Sequence, residues 1–163
     1  MTGSRPPRLL VVAHSASGGT QALVDAAVAG ALDPAIAETT GTAVAVVVRG
    51  AFDADVDDVL AADGYLLATP ENFGYMSGAL KDFFDRTYYP CVEHTKARPY
   101  GLLVKTGGGG TAAVDAVVPL TTGLDWRAVI PPLVVAGDIT DADLAAATEL
   151  GATLAGGMAT GLW

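Results

Sequence analysis

Residues 64–89 read GYLLATPENFGYMSGALKDFFDRTYY, and three kinds of local structure follow one another within that stretch. Tyr65–Thr69 is a short, continuously apolar run bounded by Gly64 and Pro70, which predicts a strand buried on both faces rather than a half-exposed one. From Ser77 to Tyr88 the apolar spacing becomes helical. Leu80, Phe83, Phe84 and Tyr88 share one stripe, Lys81, Asp82, Asp85 and Arg86 fall largely on the other side, and Asp82 and Arg86 stand at pairing distance. The loop between, Thr69 to Gly78, follows a buried strand and opens a helix.

The same pattern extends in both directions. Apolar runs rich in Val and Leu recur at Leu9–Ala13, Ala43–Val48, Gly101–Lys105 and Leu133–Ala136. Between them, Ala-rich segments with broad apolar faces predict helices near Thr20–Leu32, Val56–Ala62, Thr111–Thr121 and Asp141–Leu154. Thr140, followed by Asp141 and Asp143, offers the last helix a cap and negative charge at its positive end. Gly156 to Trp163 reads equally as an ordered tail or a frayed one. Strands alternating with helices predict right-handed crossovers and a doubly wound α/β fold, a five-stranded parallel sheet with helices on both faces. With no internal repeat, linker or low-complexity tract, one domain is expected over residues 1–163.

Composition narrows the classes of function. Hydrophobic residues make up 51% of the chain and charged residues 17%, a balance that suits a sheet covered by helices and opposes disorder. A formal charge of −9 disfavours nucleic acid and anionic membrane as partners and would favour a basic protein, although acidity also serves plain solubility. The single Cys91 can form neither an internal disulfide nor a cysteine metal cluster, so a structural thiol in a reducing compartment is expected. Met1 to Pro7 holds no long apolar segment with a cleavage pattern and no later run reaches a membrane span, which makes cytoplasm the expected location.

In open parallel sheets the ligand crevice lies beyond the carboxyl ends of the strands, so the strand-to-helix turns carry the chemistry. The first is His14-Ser15-Ala16-Ser17-Gly18-Gly19-Thr20, three hydroxyls and two glycines before a helix start whose free N–H groups favour an anion such as phosphate. It holds no Lys or Arg, and no GxxxxGK[ST] pattern occurs, which excludes a Walker loop. The bland alternative is a helix-capping turn. The second turn spends Phe73, Tyr75 and Met76 where solvent would be expected. Such residues pack on a flat aromatic ligand, seal the helix against the sheet, or meet another subunit. In the third, Lys105-Thr106 precedes Gly107, Gly108, Gly109 and Gly110, a run that suits close backbone approach to a ligand edge. A loose GxGxxA match through Gly107, Gly109 and Ala112 lies on the wrong strand for a dinucleotide fingerprint, and the second strand ends in Val48-Arg49-Gly50 without an acid.

Taken together these residues resemble the flavodoxin-like NAD(P)H-dependent FMN reductases and quinone reductases. The resemblance is carried by Thr69-Pro70, Phe73-Gly74, Ser77-Gly78-Ala79-Leu80-Lys81-Asp82-Phe83 and Asp85-Arg86, with Ser15, Ser17, Gly18 and Thr20 similar to a flavodoxin phosphate loop. It implies a flavodoxin-like strand order of 2-1-3-4-5 and a bound FMN. By position it implies that Ser15, Ser17, Gly18, Gly19 and Thr20 hold the phosphate. Pro70, Glu71, Asn72, Phe73 and Gly74 would flank the ribityl chain and isoalloxazine, and Thr106, Gly107, Gly108, Gly109 and Gly110 would line the ring's polar edge. It further implies NADH or NADPH as donor, a quinone or other small molecule as acceptor, and no catalytic side chain, since the flavin carries the chemistry. Glu71 would disfavour an anionic reduced flavin. This chain has Ser where a Thr is common in the phosphate loop, an unusual Glu71-Asn72, and none of the long insertion of the tetrameric quinone reductases.

Two other functions fit the same fold. An electron-carrying flavodoxin would exchange single electrons with protein partners, and a domain that has lost its flavin would act as a binding module. A phosphorylatable receiver domain fits poorly, because Ala13-His14-Ser15 and Ala68-Thr69-Pro70 stand where its acids are needed. His14 and His94 are isolated and lack ligand spacing, so a strand-end residue and a surface residue are expected and no metal is assigned. Asp138 suits a turn, Trp126 and Trp163 suit packing or an interface, and Tyr88 and Tyr89 beside Pro90 offer a surface for a homodimer.

Overall fold

The computed structural model describes residues 5–109 and 111–163. In chain order the elements are β1 (Arg8–Ala13), α1 (Gly19–Ala31), α2 (Pro34–Thr40), β2 (Ala45–Gly50), α3 (Val56–Ala61), β3 (Gly64–Asn72), β4 (Tyr75–Met76), α4 (Gly78–Cys91), β5 (Pro99–Thr106), α5 (Thr111–Gly123), β6 (Arg127–Ala128), β7 (Leu133–Ala136) and α6 (Asp141–Thr160). Five parallel strands lie in the order β2-β1-β3-β5-β7, which is the expected 2-1-3-4-5 when the short pieces are set aside.

Alternation along the strands divides the interior in two. Leu10, Val12, Tyr65, Leu67, Leu102 and Val104 face one way and pack on Val59 of α3, on Leu80, Phe83 and Phe84 of α4 and on Val117 of α5. Leu9, Val11, Leu66, Ala68, Leu103 and Val135 face the other way and pack on Leu23, Val24 and Ala27 of α1 and on Leu150 and Leu154 of α6. Strands apolar on both sides are thus explained by helices on both sides.

On α4, Arg86 Nε donates to Asp82 at 2.7 Å as the spacing predicts, and its two terminal nitrogens also donate to the carbonyls of Ala54 and Ala51 at 2.7 and 2.8 Å. That single side chain fastens α4 to the turn after β2. Trp126 packs as expected, its ring stacked on Tyr65 with centroids 3.8 Å apart and its Nε1 donating to Thr95. Cys91 is buried, and burial pushes its thiol pKa up, as befits a structural thiol.

Three short elements had no counterpart in the sequence reading. α2 starts at Pro34 with Asp33 accepting from the Ala35 amide, but buries no residue and so shows no apolar period. β4 turns back on β3, pairing Tyr75 with Asn72 and Met76 with Glu71. β6 and β7 both run along β5 and are separated by a segment containing Pro131-Pro132, which cannot donate to the ladder. At the other end, the tail is ordered: α6 continues to Thr160, Gly161 closes it at φ 68°, and the Trp163 ring fills the space where Gly157 lacks a side chain. Among the described residues no helix is long and apolar enough to cross a membrane.

Candidate functional site

Register brings the three candidate loops side by side. Ala13 pairs with Ala68, and Thr69 and Pro70 pair with Val104 and Lys105, so β1, β3 and β5 lie in adjacent positions and run toward the same end of the sheet, with β3 and β5 extending beyond β1. The chain leaves β1 toward β2 on one side and returns to β3 on the other. The crevice therefore lies where the winding reverses, the usual place for a ligand in such sheets.

In the first loop, Ser15 Oγ accepts from the amides of Gly18 at 3.1 Å and Gln21 at 3.2 Å. Ser15 thus plays the helix-capping part. The amides of Gly19 and Thr20, in the first turn of α1, donate no hydrogen bond among the described residues. Gly18 turns the chain at φ 89°, a left-handed conformation that favours glycine. Ser17 is exposed, while the Thr20 side chain is buried at the start of α1.

The second loop is a tight hairpin. Phe73 and Gly74 occupy its corner at φ 53° and 68°, a turn of the kind that suits two-residue connections. Glycine takes that conformation freely, whereas for phenylalanine it costs about 1–2 kcal/mol. The Phe73 side chain is fully exposed, Tyr75 is 42% exposed, and Met76 is 2% exposed. Of the three, only Met76 seals the helix against the sheet. Behind the corner, Thr69 Oγ1 accepts from Ser77 N at 2.9 Å and Ser77 Oγ accepts from Leu80 N at 3.2 Å, so the loop is held from inside and α4 is capped at once.

Glu71 ties the second loop to the third. Its Oε1 accepts from Thr106 Oγ1 at 3.2 Å and its Oε2 accepts from the Ala113 amide at 3.0 Å, in the first turn of α5. Thr106 Oγ1 in turn accepts from Gly108 N at 3.0 Å. The Glu71 carboxylate is therefore turned toward the glycine loop and the positive end of α5. Pro70 is half-buried and Asn72 exposed, the latter paired through its backbone with Tyr75. Gly110 lies outside the described residues.

Whether these loops suit a flavin can be tested on their free space. A Cβ placed at Gly18, Gly74, Gly107, Gly108 or Gly109 would meet nothing within 4 Å, so all three loops present bare backbone toward open space. Free amides at a helix start suit a phosphate, and main-chain edges with an exposed Phe73 suit a flat heteroaromatic ring. The residues present fit FMN.

Two residues near the crevice were not assigned from sequence. His14 lies in the first loop with its amide donating to Ala68 O, its ring edge-on to Phe52, and its Nδ1 buried without a hydrogen-bond partner among the described residues. Lys105, at the end of β5, lays its side chain against Gly19, with Cε 3.5 Å from where a Cβ would stand. Strand alternation carried that signal, since Lys105 shares a face with Leu103 and hence with α1. His94 and Asp138 enter none of these contacts.

Comparison with known proteins agrees with this geometry. The family model described as NADPH-dependent FMN reductase matches residues 51–141, more than half of the chain. A flavodoxin from the domain Archaea superposes with TM-score 0.74 at 21% identity, covering 93% of this chain and 98% of its own. A WrbA-like flavodoxin from Agrobacterium tumefaciens gives 0.73 at 20% identity, covering 93% of this chain and 97% of its own. An oxidoreductase from Corynebacterium diphtheriae gives 0.75 at 19% identity, covering 96% and 97%. At these identities the likeness is one of fold, and the fold is flavodoxin-like. No curated protein matches the sequence.

Proposed function

Because the chain belongs to the NADPH-dependent FMN reductase family, we propose that it holds FMN across its three loops as an oxidoreductase, with NADPH or NADH as donor and a quinone or another small molecule as acceptor. The observation that carries the reading is that the free Gly19 and Thr20 amides and the bare backbone of Gly74 and Gly107–Gly109 follow three adjacent parallel strands at the same end of the sheet. Bound FMN would supply the two-electron chemistry between donor and acceptor.

The chain's own residues then have separable tasks. Ser15, Ser17, Gly18, Gly19 and Thr20 receive the phosphate, with Ser15 Oγ already ordering the turn that presents the amides. Pro70, Glu71, Asn72, Phe73 and Gly74 flank the ribityl chain and ring, and Thr106, Gly107, Gly108 and Gly109 offer amides to the polar edge. Glu71 and Thr106 hold the last two loops in register through their shared hydrogen bond. The exposed Phe73 shields one side of the ring from water. A cytoplasmic location and small-molecule partners belong to the same proposal.

Purified protein mixed with FMN should quench flavin fluorescence and then oxidise NADPH or NADH steadily with a quinone present and no second protein. Tight FMN binding without such turnover would favour an electron carrier. Failure to bind FMN would leave a flavin-free binding module.

A further inference from the structure

The first loop carries no cation of its own, but the fold brings one to it. Lys105 ends β5 on the face covered by α1 and α6, and its stem passes Gly19 with Cγ at 3.6 Å and Cε at 3.5 Å from the glycine's empty Cβ position. Ile139, just ahead of α6, stands 3.8 Å from the same position. Lys105 Nζ donates to the carbonyl of the adjacent Thr106 at 3.1 Å and enters no ion pair among the described residues. Asp143 is an acid that feels it. Its carboxyl is held below the usual range chiefly by hydrogen bonds from the Thr140 amide and hydroxyl, with Lys105 a smaller influence.

A half-buried ammonium beside the amino end of a helix is electrostatically unfavourable, because both are positive. An anion at the Gly19 and Thr20 amides removes that conflict, and a lysine on a flexible four-carbon stem can swing its ammonium to meet it. We infer that Lys105 is the counter-charge of the FMN phosphate, so that the site distinguishes FMN from riboflavin by charge as well as by main-chain hydrogen bonds. The inference rests on the FMN reading. It changes that reading in one respect, since the phosphate pocket is cationic rather than neutral.

The test is a fluorescence-quenching titration of the purified full chain with FMN and with riboflavin, for the wild type, Lys105→Met and Lys105→Arg. Lys105→Met should weaken FMN about tenfold, the size of one charge-assisted contact, and leave riboflavin unchanged. Lys105→Arg should restore most of the loss. Raising salt from about 20 mM to about 500 mM should narrow the gap between wild type and Lys105→Met, because the contact is partly exposed. Lys105→Gln, which keeps a polar end, serves if the methionine variant does not fold. Equal FMN affinity in wild type and variant overturns the inference. A parallel loss of both flavins also overturns it, because a lysine that merely shapes the loop would affect both alike. Wild-type protein that binds neither flavin overturns the FMN reading, and this inference with it, before any substitution is made.

Discussion

Glu71 ends a buried strand with a carboxylate that accepts from Thr106 and from the first turn of α5. A negative charge there offsets the helix end that would otherwise favour electron density on a nearby ring. Glu71→Gln keeps an acceptor and removes the charge, so the potential of bound flavin should rise by on the order of 30 mV, the two-electron equivalent of about 1.4 kcal/mol. Potentiometric titration against a reference dye reads this, and an unchanged potential refutes it. Tyr65 shows a different residue-scale effect. Its hydroxyl donates to Val59 O at 2.9 Å and accepts from Arg98 at 3.0 Å. Burial, partly opposed by Arg98, pushes its pKa up to about 12 from 10.0. A folded value above the unfolded one means its stabilisation is complete below about pH 10 and lost as pH rises toward 12. Unfolding midpoints from pH 8 to 12 should fall more steeply in wild type than in Tyr65→Phe, and parallel curves would contradict this.

Between elements, α1 and α6 approach each other closely. A Cβ on Gly151 would collide with the Ala27 carbonyl, and one on Gly30 with that of Thr148, so each helix presents a bare patch to the other's backbone. Gly156 lies on the same α6 helix with nothing within 4 Å of its empty Cβ position. Gly151→Ala should therefore destabilise by about 2–3 kcal/mol through overpacking. Gly156→Ala should stabilise by about 0.5–1 kcal/mol through helix propensity. Urea denaturation of the two variants tests the pair, and equal effects would show that the interlock does not matter. None of this was visible in an Ala-rich sequence, where glycines at 151 and 156 look alike. What was legible followed from burial. β7 was placed to the residue, and α4 nearly so, because Leu80, Phe83 and Phe84 mark a face that meets a sheet. α2 buries nothing and left no trace, and the two-residue β6 lacks the length to form a pattern. The loops were read as ligand-facing from their composition, but the direction of the Glu71 carboxylate and the reach of Lys105 depend on neighbours distant in sequence.

At the scale of the molecule, one ligand would join loops that the chain itself joins only in part. Glu71 links the second loop to the third, while the first is linked to neither by any described side-chain hydrogen bond. A cofactor spanning all three makes local opening of any one of them costly, so its binding energy becomes folding stability. With free FMN at about 100 times its dissociation constant, the gain is about 2.7 kcal/mol. For a chain of this size that corresponds to a rise in melting temperature of about 5–10 °C. Differential scanning calorimetry at increasing FMN should show the midpoint climbing with concentration. Riboflavin, which lacks the phosphate that engages the first loop, should raise it less at the same concentration. A midpoint indifferent to FMN would mean that the crevice is not a flavin site. Equal shifts from the two flavins would mean that the first loop takes no part in it, leaving the amides of Gly19 and Thr20 without the anion their placement suits.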